Sequence, residues 1–194
     1  MKKIMFNDKY GLTKAVLEGR KTMTRRICSK GAAMEALEFD NWSWAKYHIG
    51  EVVAVAQNYN EVFDEFADIV YLQGKPVPDN LKAFGGQSDV TLPKTLPGWN
   101  NKMFVKADLM PHRIRITNVR VERLQDISDE DCLREGIRKM TFDTFSFDSW
   151  KFFARSPREA FAALIDKVSG KGIWNRNPWV FVYEFERVKY SHDA

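Results

Sequence analysis

The chain is expected to be a single α+β domain, and three observations carry that expectation. Strand-like and helix-like stretches alternate along 194 residues without an internal repeat. After Gly50, the run Val52-Val53-Ala54-Val55-Ala56 is short, apolar and unbroken, as a strand covered on both faces requires. Near the end, Trp179, Phe181, Tyr183 and Phe185 share one parity and Val180 and Val182 the other, which predicts a closing strand over 179–188 with its aromatics in the core.

The elements follow in order. Leu12, Ala15 and Val16 form one face of a short helix, and Gly19 stands where a left-handed residue would end it. Residues 22–27 are then extended, with Thr22, Thr24 and Arg26 on one face and Met23, Arg25 and Ile27 on the other, while Lys21 enters from the turn. Between Asn58 and Pro111 the pattern loosens, and four of the seven prolines (Pro76, Pro78, Pro93 and Pro97) fall there with Gly85-Gly86. That predicts a long insertion at about 58–111 outside the core of a single domain spanning 1–194. From His112 a long strand resumes, in which Ile114 and Ile116 share one parity and Val119 and Val121 the other, so a bulge is expected near Thr117 or Asn118. Ser128 caps a short helix with Asp129, Glu130 and Asp131 in its first turn and Gly136 at its end. Ser156-Pro157-Arg158-Glu159 opens a second helix whose stripe of Phe161, Leu164, Ile165 and Val168 is read as packing.

Composition narrows the function classes. With 44% hydrophobic and 13% aromatic residues the chain can bury one good core. A net charge of +4 and a pI near 9.0 suit a nucleic-acid partner and an ordinary soluble protein equally. The two cysteines, Cys28 and Cys132, have no CxxC spacing, which fits a reducing compartment. No apolar run approaches the roughly 18 residues of a membrane span, and the start lacks a signal-peptide core, so a cytoplasmic protein without membrane association is expected. His48, His112 and His192 show no metal-ligand spacing, and neither a metal nor a cofactor is expected. The phosphate-loop, dinucleotide-fold and nucleophile-elbow signatures are all missing from the sequence.

The chemistry concentrates in Gly19-Arg20-Lys21-Thr22-Met23-Thr24-Arg25-Arg26, a cationic, hydroxyl-rich stretch that opens a strand after a helix end and points to an anion or nucleotide cleft. Gly19, Arg20, Lys21, Thr22, Arg25 and Arg26 are its candidate ligand contacts. Glu135 is a separate candidate, because a carboxylate in a last helical turn meets the negative end of the helix dipole and does nothing for the helix. The bland alternatives are phosphate contacts for the cations, β-forming threonines, and a solvated glutamate.

The spacing Gly19-x-Lys21-x-x-x-x-Arg26 after a short helix resembles the ASCH domain, a branch of the PUA-like β-barrel superfamily. Val121-Glu122-Arg123-Leu124-Gln125-Asp126-Ile127-Ser128 and Asn177-Pro178-Trp179-Val180 are similar to the longer ASCH-like proteins of phages and prophage-bearing bacteria. The resemblance covers residues 1–57 and 112–188 and implies a mixed β-barrel with short flanking helices and a long central insertion. It also implies binding of RNA or a modified nucleoside or nucleotide beside the motif. Some small members are metal-independent amidohydrolases that deacylate N4-acetylcytidine with a lysine, a threonine and a glutamate. Carried over, those catalytic residues fall on Lys21, Thr24 and Glu135. Arg25 departs from the small enzymes, which have an apolar residue there, and the extra charge suits a polyanion. Three readings are therefore carried forward: a module recognising RNA or a nucleoside, an amidohydrolase, and a prophage-encoded interaction protein whose 58–111 insertion offers Trp99, Phe84 and Leu96 to a protein partner.

Overall fold

A computed structural model describes residues 1–62, 97–147 and 152–188. Its strands are β1 (Lys3–Ile4), β2 (Met23–Ile27), β3 (Val52–Val55), β4 (Arg113–Arg123), β5 (Arg138–Lys139), β6 (Phe145–Ser146) and β7 (Trp179–Val188). The helices are α1 (Leu12–Leu17), α2 (Lys30–Phe39), α3 (Asp129–Arg134), α4 (Pro157–Ser169) and α5 (Ile173–Arg176). The α+β class is as expected. Among the described residues no helix is long and apolar enough to cross a membrane.

The chain divides into two compact units, Met1–Met5 with Val53–Arg113 and Phe6–Val52 with Ile114–Ala194. In the first, β1 runs parallel to β3 with Lys3 opposite Ala54 and Ile4 opposite Val55. The Lys3 ammonium donates to the carbonyls of Met103 and Val105 at 2.5 and 2.9 Å. Ala54, Ala56, Tyr59, Val62, Val105, Leu109 and Met110 form a buried apolar cluster against which Trp99 packs. The described parts of the expected insertion, 58–62 and 97–111, thus contribute to a core, contrary to expectation, while 63–96 lie outside the described residues. Apolar residues spaced this irregularly have no periodicity to reveal them, yet they still gain by leaving water. Trp99 is accounted for by that cluster, while Phe84 and Leu96 lie outside the described residues. Gly98, at φ +99°, has Tyr59 so close that an added Cβ would come within 2.7 Å of the ring.

In the second unit the hydrogen-bonded strand order is β4-β7-β2. β2 is antiparallel to β7, placing Met23 opposite Glu184, Thr24 opposite Tyr183, Arg25 opposite Val182 and Arg26 opposite Phe181. Within this unit β2 is an edge strand among the described residues, paired only with β7. β4 buries Ile114, Ile116 and then Val119, leaving Thr117 and Asn118 both exposed, so its inward face switches where a bulge was expected. Ser128 and Ser156 cap α3 and α4 as the sequence indicates. In α4, Phe161, Leu164 and Ile165 are buried, but Val168 is 37% exposed and falls outside the stripe.

Candidate functional site

The segment that follows α1 is built as expected up to the start of β2. Gly19 takes φ +76°, and its amide bonds the Val16 carbonyl, closing the helix with a left-handed residue. The amides of Arg20 and Lys21 both donate to the Ala15 carbonyl, so the chain wraps back over α1 before it extends. β2 begins only at Met23. Thr22 therefore escapes the expected alternation: its amide donates to the Arg134 carbonyl, and its hydroxyl accepts from the Arg134 guanidinium at 3.3 Å.

Lys21 and Glu135, separated by 113 intervening residues, are brought into contact and buried together, at 2% and 4% exposure. The Lys21 ammonium donates to the Glu135 carboxylate at 2.5 Å and to the Glu135 backbone carbonyl at 2.7 Å. Glu135 ends α3 one residue before Gly136, and an added Cβ on that glycine would lie 3.7 Å from the Lys21 stem and 3.3 Å from Leu12. Burial is the main influence on Lys21 and lowers its proton affinity; the Glu135 carboxylate pulls it back up, and Arg26 and Arg25 lower it further.

The other Glu135 oxygen accepts from Arg25 at 3.3 Å. The Arg25 side chain is 1% exposed and also meets Glu122 at 2.6 Å and Asp131 at 2.9 Å. An expected phosphate contact is thus enclosed by three carboxylates. From there the ion pairs continue: Arg120 bonds Glu122, Asp131 and Glu184, and Arg134 bonds Glu184 at 2.7 Å. Lys21, Arg25, Arg120 and Arg134 face Glu122, Asp131, Glu135 and Glu184, so this face of β2–β7 is electrically balanced.

The opposite face is aromatic. Tyr183 lies edge-on to Tyr47 at 5.3 Å, Phe181 is 6.4 Å from Trp42, and Phe185 is 5.8 Å from Phe6. Thr24 and Arg26 fall on this face by the register. Thr24 is 5% exposed, and its hydroxyl makes no hydrogen bond among the described residues. The Phe6 ring lies 5.8 Å from both the Lys21 ammonium and the Arg26 guanidinium, within cation–π range of each. Burial raises the Tyr47 hydroxyl to about 12 and also pushes Tyr183 up.

Arg20 takes a third direction, outside both faces, and pairs with Glu18 at 2.6 Å. Among the described residues, no group of His, Cys, Asp and Glu is arranged to hold a metal ion. Compared with protein-family models, curated proteins and solved structures, the chain matches none.

Several residues of this arrangement were not singled out from the sequence. Glu184 carried a legible signal, since a lone carboxylate between Tyr183 and Phe185 in an aromatic strand needs a partner. Phe6, Tyr47, Arg120 and Arg134 carried none, because each joins only through contacts distant in sequence.

Proposed function

We propose that this chain is an ASCH-type, PUA-like module that recognises a single nucleoside or nucleotide at the start of β2 rather than a length of RNA. The observation that carries this reading is the burial of two motif cations: Lys21 and Arg25 are enclosed and paired with carboxylates. Polynucleotide binding draws on many accessible cations that displace counterions from successive phosphates. A buried polar pair beside aromatic rings suits one base, read by hydrogen bonds and held by stacking. Lys21, Thr24, Arg26 and Phe6 are the groups at hand for that task, with Glu135 fixing the Lys21 ammonium.

A second reading, amide hydrolysis on an acylated cytidine-like nucleoside, is favoured by the contact of Lys21 with Glu135. In it, Lys21 in its neutral form takes the Thr24 hydroxyl proton, and Thr24 Oγ1 bonds to the acyl carbon. The carbon–nitrogen bond breaks as Glu135 delivers a proton to the departing amine, and water then releases acetate from the acyl-threonine. Lowered proton affinity at Lys21 works in this direction.

Calorimetric titration with N4-acetylcytidine, with acetate followed in the same samples, separates the two. Binding without acetate release supports recognition alone; release abolished by Lys21→Ala, Thr24→Ala and Glu135→Gln supports hydrolysis. Absence of both binding and release removes this nucleoside from consideration, and tight, salt-sensitive binding of an RNA strand instead would overturn the single-nucleoside reading.

A further inference from the structure

A concavity borders the Lys21–Glu135 contact, lined in part by their chain neighbours Arg20 and Gly136. It has a volume of about 180 Å³ and is lined by Lys9, Tyr10, Gly11, Arg20, Gly136, Arg138 and Phe147. Three of these are cations from three separate places: a single 3-10 turn over Asp8–Tyr10, the turn before β2, and β5. Tyr10 and Phe147 form one wall, edge to face at 5.5 Å, and Phe152 stacks behind Phe147 at 5.0 Å. The wall is therefore backed by packing.

The charges here are not balanced as they are beside β2. Glu18 pairs with Arg20 at 2.6 Å and with Lys14 at 3.8 Å, whereas the Arg138 side chain makes no hydrogen bond or close ion pair among the described residues. The Glu18 carboxyl is held below the usual carboxylate range, chiefly by its hydrogen bond from Arg20, with Lys14 and Arg138 adding to the effect. Three cations and no carboxylate line the concavity, leaving it with an excess of positive charge beside an aromatic wall.

Size limits the occupant. Drug-sized ligands occupy roughly 300–1,000 Å³, and a water takes about 30 Å³, so this space holds a tetrahedral anion and little more than a ring edge. We propose that this pocket is a subsite for the phosphate of a small aromatic phosphomonoester, with Arg20 and Arg138 as its guanidinium donors, Lys9 at its rim, and Tyr10 and Phe147 against the ring. Guanidinium groups match phosphate oxygens in pairs, which sets this subsite apart from a general cationic surface. Glu18 is the internal competitor that an incoming phosphate displaces from Arg20. The proposal does not depend on what Lys21 and Glu135 do.

The test is titration of the full-length protein with phenyl phosphate, followed by calorimetry, with inorganic phosphate and phenol as separate arms. Phenyl phosphate binds more tightly than either, Arg138→Gln and Arg20→Gln each weaken it about tenfold, and Glu18→Gln tightens it several-fold. The gain expected from Glu18→Gln cannot arise from misfolding, and circular dichroism confirms that the arginine variants retain their structure. Absence of binding, binding indifferent to both arginine substitutions, or phenyl phosphate no tighter than inorganic phosphate overturns the proposal.

Discussion

The two faces of the β2–β7 strand pair are opposites in chemistry although they alternate residue by residue along the same backbone. On one, Arg25 and Glu184 enter a balanced set of ion pairs with Lys21, Arg120, Arg134, Glu122, Asp131 and Glu135. On the other, Thr24 and Arg26 lie among Phe6, Tyr47, Phe181 and Tyr183. The difference teaches that cationic density in a motif is not the same as capacity for anions. A buried guanidinium is tolerated only with counter-ions in place, so the folded protein has already supplied Arg25 with its carboxylates. Arg26, one residue on, stands against an aromatic ring and is only partly buried.

The sharpest way to break this comparison is to remove one arginine from each face. Arg25→Ala leaves Glu122, Asp131 and Glu135 without their shared cation and should cost about 3–5 kcal/mol, whereas Arg26→Ala should cost no more than about 1 kcal/mol. Urea unfolding of both variants measures the gap; equal losses would erase the distinction between the faces.

The Lys21–Glu135 contact is expected to show next in size. In a cycle of Lys21→Met, Glu135→Gln and the double variant, the coupling energy should be about 1–3 kcal/mol. Additive losses would mean that the two side chains do not support one another in solution.

Alkaline titration distinguishes the faces by sign. Folding lowers the proton affinity of Lys21, so between its folded value and about 10.4 the native state binds fewer protons than the unfolded chain. Stability from this group therefore rises with pH through that window, is fully present above it, and is lost as pH falls through the folded value. Tyr47, pushed up to about 12, and Tyr183 act oppositely. From about pH 10 upward the native state retains protons that the unfolded chain loses, and stability falls. Chemical denaturation across this range should show Lys21→Met flattening the rise and Tyr47→Phe softening the fall.

The smallest effect expected is at the cap of α3, which sets the position of Glu135. The Ser128 hydroxyl accepts from the Asp131 amide at 3.1 Å, and Ser128→Ala should cost about 1 kcal/mol in the same unfolding assay.

Much of the fold was legible because its signals are local. Gly19 marks a helix end by the left-handed conformation that the lack of a Cβ permits, Ser128 and Ser156 do so by the bonds their hydroxyls accept, and the Trp179–Val188 strand announces itself by alternation. The β5–β6 pair and α5 are too short to generate a period. Lys21 and Thr24 were singled out through a motif and Glu135 through its place at a helix end, but nothing near them in sequence told that Lys21 would meet Glu135 or that Glu122 would meet Arg25. Those contacts depend on how β4, α3 and β2 are brought together. Thr22 was misplaced for a smaller reason: strand alternation was extended one residue beyond the strand.

The most direct measurement is the salt dependence of binding to a single-stranded RNA oligonucleotide, set beside that of N4-acetylcytidine. If Lys21 and Arg25 are committed to internal carboxylates, RNA binding is weak and its affinity changes with salt by a logarithmic slope no steeper than about −1, while nucleoside binding is nearly indifferent to salt. Tight RNA binding with a slope of about −4 or steeper would contradict this, because it would require the enclosed cations to be available to phosphates.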